Sequence, residues 1–82
     1  MDTERIFQER LRQVRREKGL SQKRAASELG LTDTGYRNYE TGARRPTFEV
    51  LPRLARFFGV SSDYLLGLSD DPQVVRSAQW QG

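Results

Sequence analysis

The sequence predicts an all-α domain, a compact bundle of five short helices without a sheet. Helix-period apolar segments are each followed by a glycine, which readily adopts the left-handed conformation that ends a helix. These glycines are Gly19, Gly30, Gly42, Gly59 and Gly67. No alternating apolar run is flanked by the Asn-Gly or Asp-Gly turn that indicates a β-hairpin. The 82 residues leave room for one domain with a modest core.

The first two helices follow from the spacing of their apolar residues. The first spans roughly residues 4–18, and the second spans residues 22–29 after Ser21, a favourable N-cap residue. Their inward-facing residues are Phe7, Leu11, Val14, Ala25, Ala26 and Leu29.

The third helix begins after a Thr32 cap and ends near Glu40. Its link to the second helix is very short, and Gly30 permits the sharp turn that this link requires. Leu31, Tyr36 and Tyr39 lie on the inward side, where we interpret both tyrosines as core residues rather than stacking platforms for bases. Helices two and three therefore form a helix-turn-helix, whose later helix can enter a DNA major groove.

The outer face of the third helix is polar. At about 100° per residue, this face comprises Asp33, Thr34, Arg37, Asn38 and Thr41. Water or nucleic acid could meet such a face, and the helix-turn-helix arrangement favours DNA. Gly35 costs about 1 kcal/mol of helix propensity relative to alanine. It either allows close approach to a base or phosphate or is simply a tolerated small residue.

The last two helices complete the predicted bundle. The fourth, about residues 47–58, follows the Arg-Arg-Pro turn, and the fifth lies near residues 62–66 after a Ser61 cap. Pro52 removes one backbone donor and predicts an early kink or a late start of the fourth helix. Their apolar residues are Phe48, Leu51, Leu54, Ala55, Phe58, Tyr64 and Leu65.

Composition excludes most enzymatic chemistry. The chain has no cysteine and no histidine, so it lacks disulfides, thiolate nucleophiles, imidazole bases and the usual zinc ligands. We expect no enzyme activity, no cofactor and no metal. The net charge of +3 permits a polyanionic partner without requiring one. No run resembles a membrane span or a signal peptide, which favours a cytoplasmic protein.

Two stretches, RLRQVRREKGLSQKRAASELGL and YRNYETGARRPTFEVLPRLARFFGVSSDYLLG, resemble the Cro/C1-type (Xre-like) helix-turn-helix regulators of bacteria and phages. The resemblance covers roughly residues 5–67, and the order and spacing of its parts are specific. It implies a lambda-repressor-like fold and sequence-specific binding of double-stranded DNA. It also implies a repressor acting as a homodimer on a pseudo-palindromic operator. The alternative is an antitoxin-like module of the same fold that neutralises a partner protein.

The resemblance also assigns residues. Asp33, Thr34 and Asn38 would read bases, with Arg37 beside them. By the same resemblance, a second set would contact the DNA backbone: Gln22, Thr41, Arg44 and Arg45. Lys23 flanks the helix-turn-helix away from its outer polar face, so we expect it to contact the backbone as well. Arg15 borders the core one turn after Leu11, where a buried charge needs a partner, and the resemblance suggests Glu40.

Other charged residues and the C-terminus have simpler interpretations. We interpret Arg12, Arg16 and Lys18 as a solvated helix surface. The sequence predicts a DNA-binding domain over residues 1–68 and a tail over residues 69–82. The tail's apolar groups are Val74, Val75 and Trp80, so it is either flexible or a dimer contact.

Overall fold

The computed structural model describes residues 2–73, which form five α-helices and no strand. In chain order, α1 to α5 span Thr3–Glu17, Gln22–Leu29, Asp33–Thr41, Val50–Phe58 and Ser62–Leu66. The predicted all-α class and the order of the helices are confirmed. All five predicted stop glycines have positive φ, as helix termination in the left-handed conformation requires.

Side-chain caps define where most of these helices begin. In α1, α2, α3 and α5, the residue before the helix accepts a hydrogen bond from a backbone N–H three residues later, at 2.9 to 3.0 Å. The capping residues are Asp2, Ser21, Thr32 and Ser61. Each such cap stabilises a helix by roughly 1 kcal/mol, so local sequence largely fixes the helix starts.

The core lies where the apolar stripes of the five helices meet. Its buried residues include Leu11, Ala26, Tyr36, Leu54 and Leu65, none of which is exposed to solvent. The α2–α3 turn closes when the Leu31 N–H donates to the Ala26 carbonyl at 2.9 Å, beside Gly30 with φ of 74°. Burial of Tyr36 and Tyr39 turns the opposite face of α3 towards solvent.

The start of α4 differs from the expectation for Phe48. Helix α4 begins at Val50, whose N–H donates to the carbonyl and hydroxyl of Thr47 at 3.1 and 3.2 Å. Because this turn delays the helix, Phe48 lies before it and is 93% exposed instead of joining the apolar face. The late start also places Pro52 in the first turn, where its missing N–H costs no intrahelical bond.

The chain beyond α5 stays against the bundle as far as the structure describes it. Arg10 donates to the carbonyls of Tyr64 and Ser69 at 2.6 and 2.7 Å and to the Asp70 carboxylate at 2.8 Å. The Ser61 N–H donates to the Pro72 carbonyl at 3.0 Å. The tail's apolar residues, Val74, Val75 and Trp80, lie outside the described residues. No helix between residues 2 and 73 is long and apolar enough to cross a membrane.

Candidate nucleic-acid interface

Four polar side chains lie along the solvent side of α3, and we call them the reading face: Asp33, Thr34, Arg37 and Asn38. The first three are exposed and Asn38 is half-buried. None of the four side chains forms a hydrogen bond or ion pair with another residue in the range 2–73. Their donors and acceptors are therefore available to an external partner.

Gly35 has a local structural role on this helix. Its N–H donates to the Thr32 hydroxyl at 2.9 Å, which caps α3. A β-carbon at position 35 would lie 2.8 Å from that same hydroxyl oxygen, closer than side chains tolerate. Close capping of α3 thus explains a glycine here without any approach to DNA.

On the buried side of α3, Glu40 and Arg15 are in direct contact. The Arg15 guanidinium donates through Nε to Glu40 Oε2 at 2.6 Å and through Nη2 to Oε1 at 3.2 Å. The Glu40 side chain is 0% exposed and that of Arg15 is 11% exposed. A forked contact of this kind is the strongest ion-pair geometry that arginine makes.

Two further hydrogen bonds extend this pair across the helix-turn-helix. The Gln22 amide, at the first position of α2, donates to Glu40 Oε1 at 3.0 Å. Arg15 Nη1 donates to the Leu20 carbonyl, in the link before α2, at 2.8 Å. The buried network of Arg15, Gln22 and Glu40 therefore ties α1 and the start of α2 to α3.

The network sets the charge of Glu40. Burial alone would raise the pKa of its carboxyl, but the hydrogen bonds, first among them those from Arg15, outweigh burial and lower it. The same contact raises the pKa of the Arg15 guanidinium. Burial raises the pKa of the adjacent Tyr36 phenol, whose hydroxyl bonds no residue within 2–73. Glu40 thus stays ionised behind the reading face at neutral pH.

The predicted backbone-contacting residues lie in different local environments. Lys23 and Arg44 are exposed, and their side chains form no ion pair in the described part of the chain. Arg45 instead pairs with Glu4 of α1. The Thr41 hydroxyl lies within the turn that ends α3, 3.4 Å from the Asn38 carbonyl. Gln22 retains one amide hydrogen and its oxygen beyond the bond to Glu40.

Sequence reasoning missed two arginines that contact the helix-turn-helix from outside. Arg12 of α1, interpreted above as solvated, donates to the Glu40 carbonyl at 2.8 Å. Arg53 of α4 donates to the Leu29 carbonyl, the last residue of α2. For Arg12 there was a signal, because it lies one turn before Arg15 on the side of α1 that faces α3. Arg53 gave none, since its contact depends on how α4 packs.

Comparison with known proteins agrees with this geometry. The helix-turn-helix family model matches residues 11–65, which include every helix-turn-helix contact described above. The chain belongs to the helix-turn-helix family. That membership confirms the resemblance drawn from the sequence.

Three relatives of the chain are named as transcriptional regulators or repressors. The chain is 39% identical over 67 residues to the uncharacterized HTH-type transcriptional regulator YobD of Bacillus subtilis, covering 82% of this chain and 60% of YobD. It is 46% identical over 61 residues to the SPbeta prophage-derived regulator YonR of B. subtilis, covering 74% and 56%. It is 34% identical over 55 residues to the cryptic phage CTXphi transcriptional repressor RstR of Vibrio cholerae, covering 67% and 50%.

The chain thus spans between half and three-fifths of the length of these relatives. Their names describe transcriptional regulators and give no support to the alternative antitoxin-like function.

Proposed function

We propose that this protein is a transcriptional repressor that binds a specific double-stranded DNA operator through α3. The observation that carries the proposal is the reading face: four polar side chains aligned on one exposed helix surface with no partner among residues 2–73. A solvated helix surface needs no rigid support, whereas this one is backed by a buried ion pair. Membership of a family of transcriptional regulators supports the same conclusion.

Within this proposal, the reading face supplies sequence preference. Asn38 offers an amide that pairs with adenine N6 and N7, and Arg37 offers a guanidinium that pairs with guanine. Asp33 accepts a hydrogen bond from a cytosine amino group, and Thr34 contacts either a base edge or a thymine methyl. Asp33 and Arg37 are exposed, and they lie within the first five residues of α3. The N-terminal residues of this helix are the ones that contact base edges in this motif.

A second set of residues supplies affinity that does not depend on sequence. Lys23 and Arg44, at the start of α2 and after α3, have exposed cationic groups with no ion pair among residues 2–73. Gln22 adds a contact through its remaining amide hydrogen and oxygen, and Arg45 and Thr41 add contacts once DNA competes with their present partners. Phosphate contacts of this kind position a protein on DNA without reading its bases.

We further propose that two copies bind together on a pseudo-palindromic site. One α3 presents only four reading side chains, enough for a few base pairs, and a two-fold dimer doubles this number. Half-sites would then be about 10 base pairs apart, one turn of the DNA helix. The similarity to the phage transcriptional repressor RstR supports a repressor role, which a reporter gene downstream of the operator would test.

Selection of bound fragments from a random duplex library tests operator binding directly. An enriched motif with two related half-sites is the expected result, and binding to it should weaken steeply as salt increases. Replacing Lys23 or Arg44 by alanine should weaken operator and scrambled duplex alike and reduce the salt slope by about 1 each. Failure to enrich any motif, with salt-independent retention, would contradict the proposed function.

A further inference from the structure

Guanidinium groups from outside the helix-turn-helix contact the ends of both its helices. The last carbonyls of an α-helix have no partner within the helix, and they carry the negative end of the helix dipole. Arg53 reaches from α4 to the Leu29 carbonyl at the end of α2. Arg12 reaches from α1 to the Glu40 carbonyl near the end of α3.

These contacts join α2 to α4 and α3 to α1. Leu29 is followed directly by Gly30, the left-handed residue at which the chain turns into α3. The Arg53 guanidinium also lies beside this turn, since a β-carbon on Gly30 would be 3.8 Å from its Nη2. Arg12 acts on the other end of α3, adjacent to the buried network of Arg15, Gln22 and Glu40.

We infer that Arg12 and Arg53 are positioning residues that fix the orientation of α3 relative to bound DNA. The inference rests on the proposed operator binding but assigns neither residue a contact with DNA. Arg53 of α4 holds the end of α2, from which the chain turns into α3. Arg12 of α1 holds the last turn of α3. Base-edge hydrogen bonds need donor and acceptor within a few tenths of an ångström, whereas attraction to phosphates tolerates a shift of the whole helix.

The inference predicts that these substitutions weaken discrimination between operator and scrambled DNA, beyond any effect of removing a positive charge. Replacing Arg53 by methionine keeps the length and helix propensity of the side chain but removes its donors. The ratio of affinities for a selected operator and a scrambled duplex should fall by about three- to tenfold, which corresponds to the loss of about one base-edge hydrogen bond when α3 shifts. Arg12→Met should lower the same ratio. Arg53→Lys should keep most of it, because an ammonium group can still donate to a carbonyl.

Matched controls lie one turn away on the same helices. Arg56 of α4 and Arg16 of α1 are exposed, and their side chains make no hydrogen bond or ion pair within residues 2–73. Arg56→Met and Arg16→Met therefore remove the same charge without removing a helix-end contact. Both controls should leave the affinity ratio unchanged.

The experiment measures fluorescence anisotropy of labelled operator and scrambled duplexes at several salt concentrations, well below the melting temperature of every variant. The inference is supported if Arg53→Met and Arg12→Met lower the ratio while the salt slope on scrambled DNA matches that of the wild type. It is overturned if both duplexes lose affinity equally with a slope reduced by about 1, the signature of a phosphate contact. It is also overturned if the ratio is unchanged. Wild-type discrimination between the duplexes reports separately on the proposed function.

Discussion

The two sides of α3 have opposite hydrogen-bonding states. On the buried side, Glu40 accepts from Arg15 and Gln22 through both carboxylate oxygens, and its backbone carbonyl accepts from Arg12. On the exposed side, Arg37 and Asn38 have no side-chain partner within residues 2–73. Within the nine residues of α3, the buried side is therefore tied to the rest of the domain, and the exposed side carries the side chains that we propose contact DNA.

Breaking the buried side should have the largest effect on the protein. Glu40→Ala would leave the Arg15 guanidinium buried without its partner, and removing one member of a buried pair costs about 3 to 5 kcal/mol. A small domain with roughly 5 to 10 kcal/mol of stability would lose much of it. Urea unfolding followed by circular dichroism would measure the loss.

Glu9→Ala is the matched control for that substitution. Glu9 pairs with Arg5 at 3.2 Å on the surface of α1, where both side chains are more than half exposed. Exposed pairs are worth less than about 1 kcal/mol. A loss in Glu40→Ala no greater than in Glu9→Ala would show that the buried network does not hold α3.

Acid should destabilise the protein by protonating Glu40 on the buried side of α3. The pKa of Glu40 is lowered in the folded state, so the unfolded chain takes up this proton first as the pH falls. The stability that the ionised carboxylate contributes is present above about pH 4.3, the ordinary value for glutamate, and is lost progressively below it. The stability gap between wild type and Glu40→Gln should therefore narrow between pH 5 and pH 3, as measured by thermal melting. A constant gap would mean that Glu40 does not titrate with unfolding.

The exposed side should respond to mutation in binding rather than in folding. Asn38→Ala should weaken binding to a selected operator by about 1 to 3 kcal/mol and relax preference at one base pair per half-site. Affinity for scrambled DNA should hardly change, and alanine is the better helix former, so stability should be preserved. Titration of all single-base operator variants at matched salt measures this. Equal losses on every variant would instead make Asn38 a backbone contact.

Sequence alone predicted the helices and the ion pair that holds α3, but it did not predict every contact around them. Local signals were sufficient for the helices, because caps such as Ser21 and Thr32 and stop glycines such as Gly30 act within a few residues. The resemblance also suggested that Arg15 pairs with Glu40, and the structure places Arg15 Nε 2.6 Å from Glu40 Oε2. Phe48 was misplaced because a helix-period pattern does not reveal that the Thr47 turn delays α4.

Contacts of arginine that depend on the packing of α4 or of the turn after α3 could not be predicted from the sequence. The chain offers many cations, and nothing local distinguishes Arg53, which binds the end of α2, from Arg56, whose side chain has no partner among residues 2–73. The pairing of Arg45 with Glu4 was missed for the same reason, since these residues lie on different elements. Charge counting therefore overestimated the cations that are free to meet phosphate.

The pair formed by Arg45 and Glu4 gives the smallest expected effect, a small change in affinity for DNA. Arg45 lies just beyond α3 and its guanidinium contacts the Glu4 carboxylate, so a DNA phosphate competes with this anion for the arginine. Glu4→Gln removes this competitor and should strengthen binding to operator and scrambled duplex by the same factor. The gain should stay below about 1 kcal/mol because the pair is largely exposed and already screened.

Glu9→Gln separates release of Arg45 from the general gain in positive charge. It removes one carboxylate from the same helix, but its partner is Arg5. Anisotropy titrations at low salt should therefore show a larger gain for Glu4→Gln than for Glu9→Gln, and the difference should vanish when Arg45 is also replaced by alanine. Equal gains would mean that only net charge matters, and Arg45 would then have no role in gripping the DNA backbone. A gain in affinity for the operator alone would place Arg45 among the residues that read bases, which would contradict its proposed contact with the DNA backbone.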